Sequence, residues 1–274
     1  MNASRWIILS SLLFFGNVTQ AGQTLVLIHG YLGTGTAWRT TGIVEMLQRA
    51  GWRDSGHLFP NGELPSGLPN SQTQRYLYTV TLPSEAPLPI QTRQLSFYLH
   101  WLQQRHPDNS MILIGHSVGG VVARLSMIFH PDIPVKGLIT IASPHLGTDK
   151  AELGYMLGHS PFNWVAPLMG LDTINRSQGL YYDLVRERPS TALFWLNRRP
   201  HPPAVYVSII RINEGYGFED FVPTYSQDMN NIMALQGKSW VIPTEGYHGL
   251  RWSDGELIAG LLRREFFNSD NQPS

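Results

Sequence analysis

The chain has 274 residues, 42% of them hydrophobic and 15% charged, and its Lys plus Arg count equals its Asp plus Glu count. Such a chain builds one large α/β domain or two small ones, and its composition argues against extended disorder, a nucleic-acid surface or a polybasic membrane patch. It has no cysteine, which excludes disulfides, thiolate catalysis, Cys-ligated metals and a lipid-modified N-terminal cysteine, and leaves export open.

Arg5 precedes a short apolar run, Trp6–Phe15, and Asn17–Ala21 ends in small or polar residues. This is the layout of a secretory signal peptide over 1–21, with cleavage after Ala21. The alternative is an uncleaved anchor, but the run is short for a bilayer. Residues 22–274 are then one domain, and its expected location is secreted or periplasmic.

Gln23–Ile28 is a continuous apolar strand that runs into His29-Gly30-Tyr31-Leu32-Gly33. Ala37–Ala50 has helical spacing, with Trp38, Ile43, Met46, Leu47 and Ala50 on one side. Gly51–Gln72, rich in Gly, Pro and Asn, reads as an irregular loop. Arg75–Leu82 alternates β-branched and aromatic residues and is predicted to be a strand. Ile90–Arg105 follows as a helix, with Leu95, Tyr98, Leu99 and Leu102 as its inner stripe.

Met111–Ile114 is the end of a buried strand, and Gly115-His116-Ser117-Val118-Gly119 comes next. It fits G-x-S-x-G, and the helical stretch from Gly120 supplies the strand–turn–helix context of a nucleophile elbow. The sharp reversal strains the central residue toward positive φ, and Gly115 and Gly119 leave room for it. Ser117 then faces a helix N-terminus, which favours developing negative charge. The competing reading is a Gly-rich turn with an ordinary serine.

Val135–Ala142 is the next strand and ends in Ser143-Pro144-His145-Leu146-Gly147-Thr148. Asp149–Pro203 interrupts the alternation. It lacks strand signal and holds many aromatic residues, so it reads as a helical lid over an apolar site, or else an insertion packed on itself. Ala204–Ile212 and Lys238–Ile242 complete six strands. Strands alternating with helices imply a mostly parallel sheet with helices on both faces, and the site lies beyond the strands' carboxyl ends.

A serine nucleophile needs a base and an acid to orient it. His248 lies after the last strand, before a helix with Ser253 as N-cap and Glu256 three residues on, a capping box. The acid candidates are Glu214, Glu219, Asp220 and Asp228. Asp220 is favoured because Asp220-Phe221-Val222-Pro223 holds it on a tight turn. The N–H groups of Tyr31 and Val118 are the expected oxyanion donors. His29 is expected to brace the oxyanion loop, His116 to pack or hydrogen-bond beneath the turn, and His145 to support or line the site. No histidines have a metal-binding spacing, no carboxylates form a calcium-loop pattern, and no cofactor is implied.

Together these stretches, with Ser226 and the segment Thr191–Asn197, resemble a lipase-type α/β-hydrolase. The similarity is to bacterial triacylglycerol lipases and phosphatidylinositol-deacylase-like hydrolases, and it spans nearly the whole mature chain. The resemblance implies an α/β-hydrolase fold, a Ser117-Asp220-His248 triad and hydrolysis of hydrophobic acyl esters without a cofactor. The expected partners are a small-molecule or lipid ester and, transiently, a lipid interface, with no nucleic acid. Other readings are an acyltransferase or amidase on the same scaffold, or a non-catalytic binding protein. The chain lacks the two leading strands of larger hydrolases.

Overall fold

The computed structural model describes residues 22–60, 74–151, 172–212 and 221–266. The leader over 1–21, part of the 149–203 insertion and the acid candidates Glu214, Glu219 and Asp220 lie outside the described residues.

Seven strands form one sheet: β1 Gln23–Ile28, β2 Arg53–Leu58, β3 Arg75–Val80, β4 Ser110–His116, β5 Val135–Ile141, β6 Val205–Ile212 and β7 Ser239–Glu245. Their spatial order is β2-β3-β1-β4-β5-β6-β7, and every neighbouring pair is parallel. Six of them occupy the predicted places. The seventh, β2, corrects the expectation of six strands and of a loop over Gly51–Gln72. Its sequence, R-D-S-G-H-L, has no apolar alternation because it is an edge strand with only Leu58 buried. Polar contacts attach it: Arg39 grips Asp54 with both guanidinium nitrogens at 2.5 and 2.8 Å. The His57 ring nitrogens meet Thr79 and Thr81 hydroxyls at 2.6 and 2.8 Å.

Alternate residues of each strand enter different cores. Val26, Ile28, Leu113 and Val80 pack with α3 (Leu88–Arg105) and α4 (Val118–Phe129). Leu25, Leu27, Ile112 and Ile114 pack with α1 (Ala37–Thr40), α2 (Ile43–Arg49) and the C-terminal helix. Burying each such aliphatic side chain contributes about 1.5–3 kcal/mol before conformational entropy is counted. The helices therefore cover both faces, as a parallel sheet requires.

Two helix boundaries differ from expectation. The predicted helix over Ala37–Ala50 is two helices, because Gly42 adopts φ 78° and breaks it. Ser253 is inside the final helix, which starts at Trp252. Asp254 rather than Ser253 serves that end: its carboxylate accepts the Arg251 N–H at 2.8 Å.

Within the insertion, the described part from residue 172 contains α5 (Asp172–Arg176), α6 (Gln178–Leu184) and α7 (Ala192–Leu196). After β6 come a short helix α8 (Thr224–Gln227), two 3-10 turns, β7 and the C-terminal helix α9 (Trp252–Phe266). Among the described residues no helix is long and apolar enough to cross a membrane.

Candidate active site

The sheet delivers Ser117 at the carboxyl end of β4. Its backbone has φ 53° and ψ −128°, an unfavourable region for a side-chain-bearing residue. Close packing holds it there: a Cβ on Gly115 would stand 2.4 Å from the Gly120 backbone, and one on Gly119 would stand 2.4 Å from the His29 carbonyl. The Ser117 N–H donates to the Ile141 carbonyl at 2.8 Å, which pins the turn to β5.

The Ser117 hydroxyl meets His248 Nε2 at 2.9 Å. His248 lies in the loop after β7, and two distant side chains, His116 and Arg211, fix that loop. His116 Nε2 donates to the His248 carbonyl at 2.9 Å. Arg211, from the end of β6, donates to the Gly249 carbonyl at 3.2 Å and to Thr244 Oγ1 at 2.8 Å. Its guanidinium also makes a bidentate pair with Asp254 at 2.9 and 2.6 Å. Arg211 and Asp254 are 2% and 1% exposed, so removing either leaves a buried uncompensated charge. Removal from water lowers the basicity of both histidines, His248 to about 3 and His116 to about 4. The neighbouring His116 and Arg211 charges push His248 the same way. A neutral His248 ring has a free Nε2 lone pair for the serine proton.

The loop after β1 lies beside Ser117: a Cβ on Gly30 would come within 2.7 Å of the Ser117 Cβ. The Tyr31 N–H has no hydrogen-bond partner among the described residues, and Val118, the first residue of α4, has an N–H without an intrahelical acceptor. His29 clamps the loop from beneath. Its Nε2 accepts the Leu82 N–H at 2.9 Å, so Nδ1 carries the proton that reaches the Gly30 carbonyl at 2.8 Å. From above, the Tyr31 hydroxyl bonds Tyr181 at 2.7 Å and Ser177 at 3.0 Å.

These groups open on a cavity of about 450 Å³. Tyr31, Ser117, His248, Thr148 and Lys150 are among its lining, and Val118, Ala151, Leu180, Leu184, Phe221 and Val222 make much of the wall apolar. Helix α6 thus contributes directly to the wall. Asp183 anchors it by accepting the Leu88 N–H at the start of α3, 2.7 Å away.

His145 is placed behind the site. It is fully buried, and its Nδ1 accepts from Arg124 Nη1 at 3.1 Å while Nε2–H donates to Thr140 at 3.2 Å. Arg124, also fully buried, donates further to Asn197 at 2.8 Å and His201 at 3.2 Å. With no carboxylate in direct contact, burial lowers its pKa to about 9. The two stretches around His145 and Ser226 bind one another: Ser226 Oγ donates to the Gly147 carbonyl at 2.7 Å and accepts the Leu146 N–H at 3.0 Å.

Of the acid candidates only Asp228 is described. Its carboxylate accepts the Asn230 N–H at 2.7 Å and caps the turn Met229–Asn231. Phe221, the neighbour of Asp220, has its ring centroid 5.8 Å from that of His248.

The parallel sheet, the strained serine turn and the histidine loop define an α/β-hydrolase fold. Residues 90–153, from α3 through the serine turn to the loop after β5, match the PGAP1-like alpha/beta domain family. The mature lipase BlEst2 of Bacillus licheniformis aligns with TM-score 0.59 at 17% identity, covering 88% of this chain and 91% of the lipase. A gene product of Listeria innocua aligns with TM-score 0.61 at 15% identity, covering 91% of this chain and 96% of its own. No curated protein matches the chain by sequence.

Sequence reasoning missed Arg211, Asp254 and Tyr181. Arg211 left one trace, a lone cation inside the apolar strand V-Y-V-S-I-I-R-I. Tyr181 belongs to the aromatic insertion read as a lid, but its bond to Tyr31 left no signal, and the Asp254 pairing with Arg211 left none because the two lie far apart in the chain.

Proposed function

We propose that the chain is an exported serine carboxylic-ester hydrolase. The observation that carries this reading is the 2.9 Å contact between Ser117 Oγ and His248 Nε2, made at the mouth of an apolar cavity. His248 takes the Ser117 proton as Oγ attacks the ester carbonyl. The N–H groups of Tyr31 and Val118 receive the oxyanion. His248 then protonates the leaving alcohol, and water, activated in the same way, releases the acid from the acyl-enzyme.

Asp220 is the proposed partner of His248 Nδ1. Its support is covalent: it precedes Phe221, whose ring contacts the imidazole. Asp228 is less suited, since its carboxylate already caps a turn. The apolar wall supports a hydrophobic acyl chain as the bound portion, with residues 149–203 as the lid above it and lipid surfaces as a transient partner. The signal-peptide layout of residues 1–21 supports export.

The test is hydrolysis of p-nitrophenyl esters from acetate to palmitate, with and without an oil interface. Medium or long chains are expected to be preferred, and Ser117→Ala is expected to lower kcat by about 10⁶-fold. Activity confined to acetate and butyrate leaves an esterase rather than a lipase. Absence of turnover on every ester, or full turnover by Ser117→Ala, contradicts the proposal.

A further inference from the structure

At the far end of α4 from Ser117, a second group of chemically competent side chains comes together. His100 on α3, His130 at the C-cap of α4 and Asp132 in the turn before β5 each present one ligand atom, all within 4.8 Å of one another. The His100 ring is already oriented. Its Nδ1–H donates to the Ser96 carbonyl one turn earlier, at 2.8 Å, which leaves Nε2 as the nitrogen turned toward a ligand. That Nε2 stands 3.6 Å from Asp132 Oδ2. The His130 ring lies perpendicular to His100, with centroids 4.9 Å apart, and its nitrogens have no hydrogen-bond partner among the described residues.

A tetrahedral zinc ion with bonds of about 2.0–2.1 Å keeps its ligand atoms about 3.3 Å apart. His100 and Asp132 are near that separation as they stand, and rotation of the half-exposed His130 side chain closes the third edge. The negative end of the α4 dipole lies beside His130 and favours a cation. A groove of about 320 Å³, lined by Arg93, Phe97 and Phe129 among others, opens next to the two histidines and leaves room for a water ligand.

We infer that His100, His130 and Asp132 form a binding site for a zinc-type divalent transition ion with one open position. Two imidazoles and one carboxylate suit zinc, nickel or copper better than calcium or magnesium. Ser117 lies thirteen residues before His130, about 20 Å along the helix, so the ion takes no part at the serine. It clasps α3 to α4 and stabilises the folded chain by mass action. The competing arrangement is a simple ion pair between protonated His100 and Asp132, which needs no metal.

The test is titration of the untagged, EDTA-treated full chain with zinc chloride, followed by calorimetry and thermal unfolding. The variants are His100→Gln, His130→Gln and Asp132→Asn, each checked for native circular dichroism. The expected result is one zinc per chain and a rise in Tm of about 5 °C at a hundredfold excess over Kd. Each substitution lowers the affinity at least about tenfold, and the metal-free variants hydrolyse esters at the wild-type rate. Lack of saturable binding, or an affinity that any of the three substitutions leaves unchanged, overturns the site.

Discussion

The turn that carries Ser117 and the loop that carries His248 meet across 2.9 Å, yet they are held in place by different means. The serine turn is fixed by close backbone packing: Gly115 lies on Gly120, Gly119 on the His29 carbonyl, and the Ser117 N–H is tied to Ile141. The histidine loop is fixed from outside by His116, Arg211 and Asp254. A close-packed turn is vulnerable to added atoms, whereas a loop held by remote side chains is vulnerable to lost ones.

Removing the remote anchor is expected to have the largest effect. Arg211→Met leaves Asp254 buried without its partner and should cost about 3–5 kcal/mol of stability, read by urea unfolding. Adding Asp254→Leu should recover much of that stability, because the unpaired charge is gone. The double variant should still show kcat lowered about tenfold, since Gly249 and Arg251 have lost their partners. A double variant with wild-type kcat shows that the loop does not depend on the pair.

Adding one methyl on the other side comes next. Gly115→Ala drives a Cβ into the Gly120 backbone and should destabilise the chain by about 1–3 kcal/mol. It also displaces Ser117, so kcat should fall together with Tm. Wild-type values for both indicate that the turn can relax.

Acid should loosen both regions at once, because His116 belongs to the turn and serves the loop. Burial lowers the pKa of His116 to about 4 and that of His145 well below 6.5. Unfolded histidine protonates near 6.5, so between 6.5 and about 4 the unfolded chain binds the extra protons. Stability is therefore complete above pH 6.5 and falls on acidification, by at most about 1.4 kcal/mol per pH unit for each ring. Unfolding free energies at pH 7 and pH 5 check this, and equal values contradict neutral buried rings.

The smallest effect is expected at Tyr181. Tyr181→Phe removes one of the two bonds to the Tyr31 hydroxyl, worth about 0.5–1.5 kcal/mol. If the oxyanion loop needs that bond, kcat falls a few-fold with KM unchanged. An increase in KM alone assigns Tyr181 to substrate binding instead.

The same contrast explains what was legible in the sequence. Five of the predicted strands were visible because they are buried through most of their length, and the edge strand β7, with only Ser239 buried, showed through its Trp240-Val241-Ile242 run. β2 was not, because Arg39, Thr79 and Thr81 hold it by polar bonds that leave no period. Gly115-His116-Ser117-Val118-Gly119 stood out because its glycine spacing, the strand before it and the helix after it all lie within one short stretch. His248 was reachable through its position after the last strand. Its supports were not, since Arg211 lies 38 residues from Gly249 and His116 lies 132 residues from His248. The Ser253 capping box failed for a related reason: a buried ion pair had already placed Asp254 where it could take the Arg251 N–H.

The central claim is that Ser117 is a nucleophile activated by His248. Intact-mass measurement after fluorophosphonate treatment of the native chain tests it most directly. One covalent adduct per chain, mapped to Ser117, absent from Ser117→Ala and slower to form in the Arg211→Met/Asp254→Leu double variant, is the predicted result. A native chain that stays unlabelled, or a Ser117→Ala variant that labels equally, contradicts it.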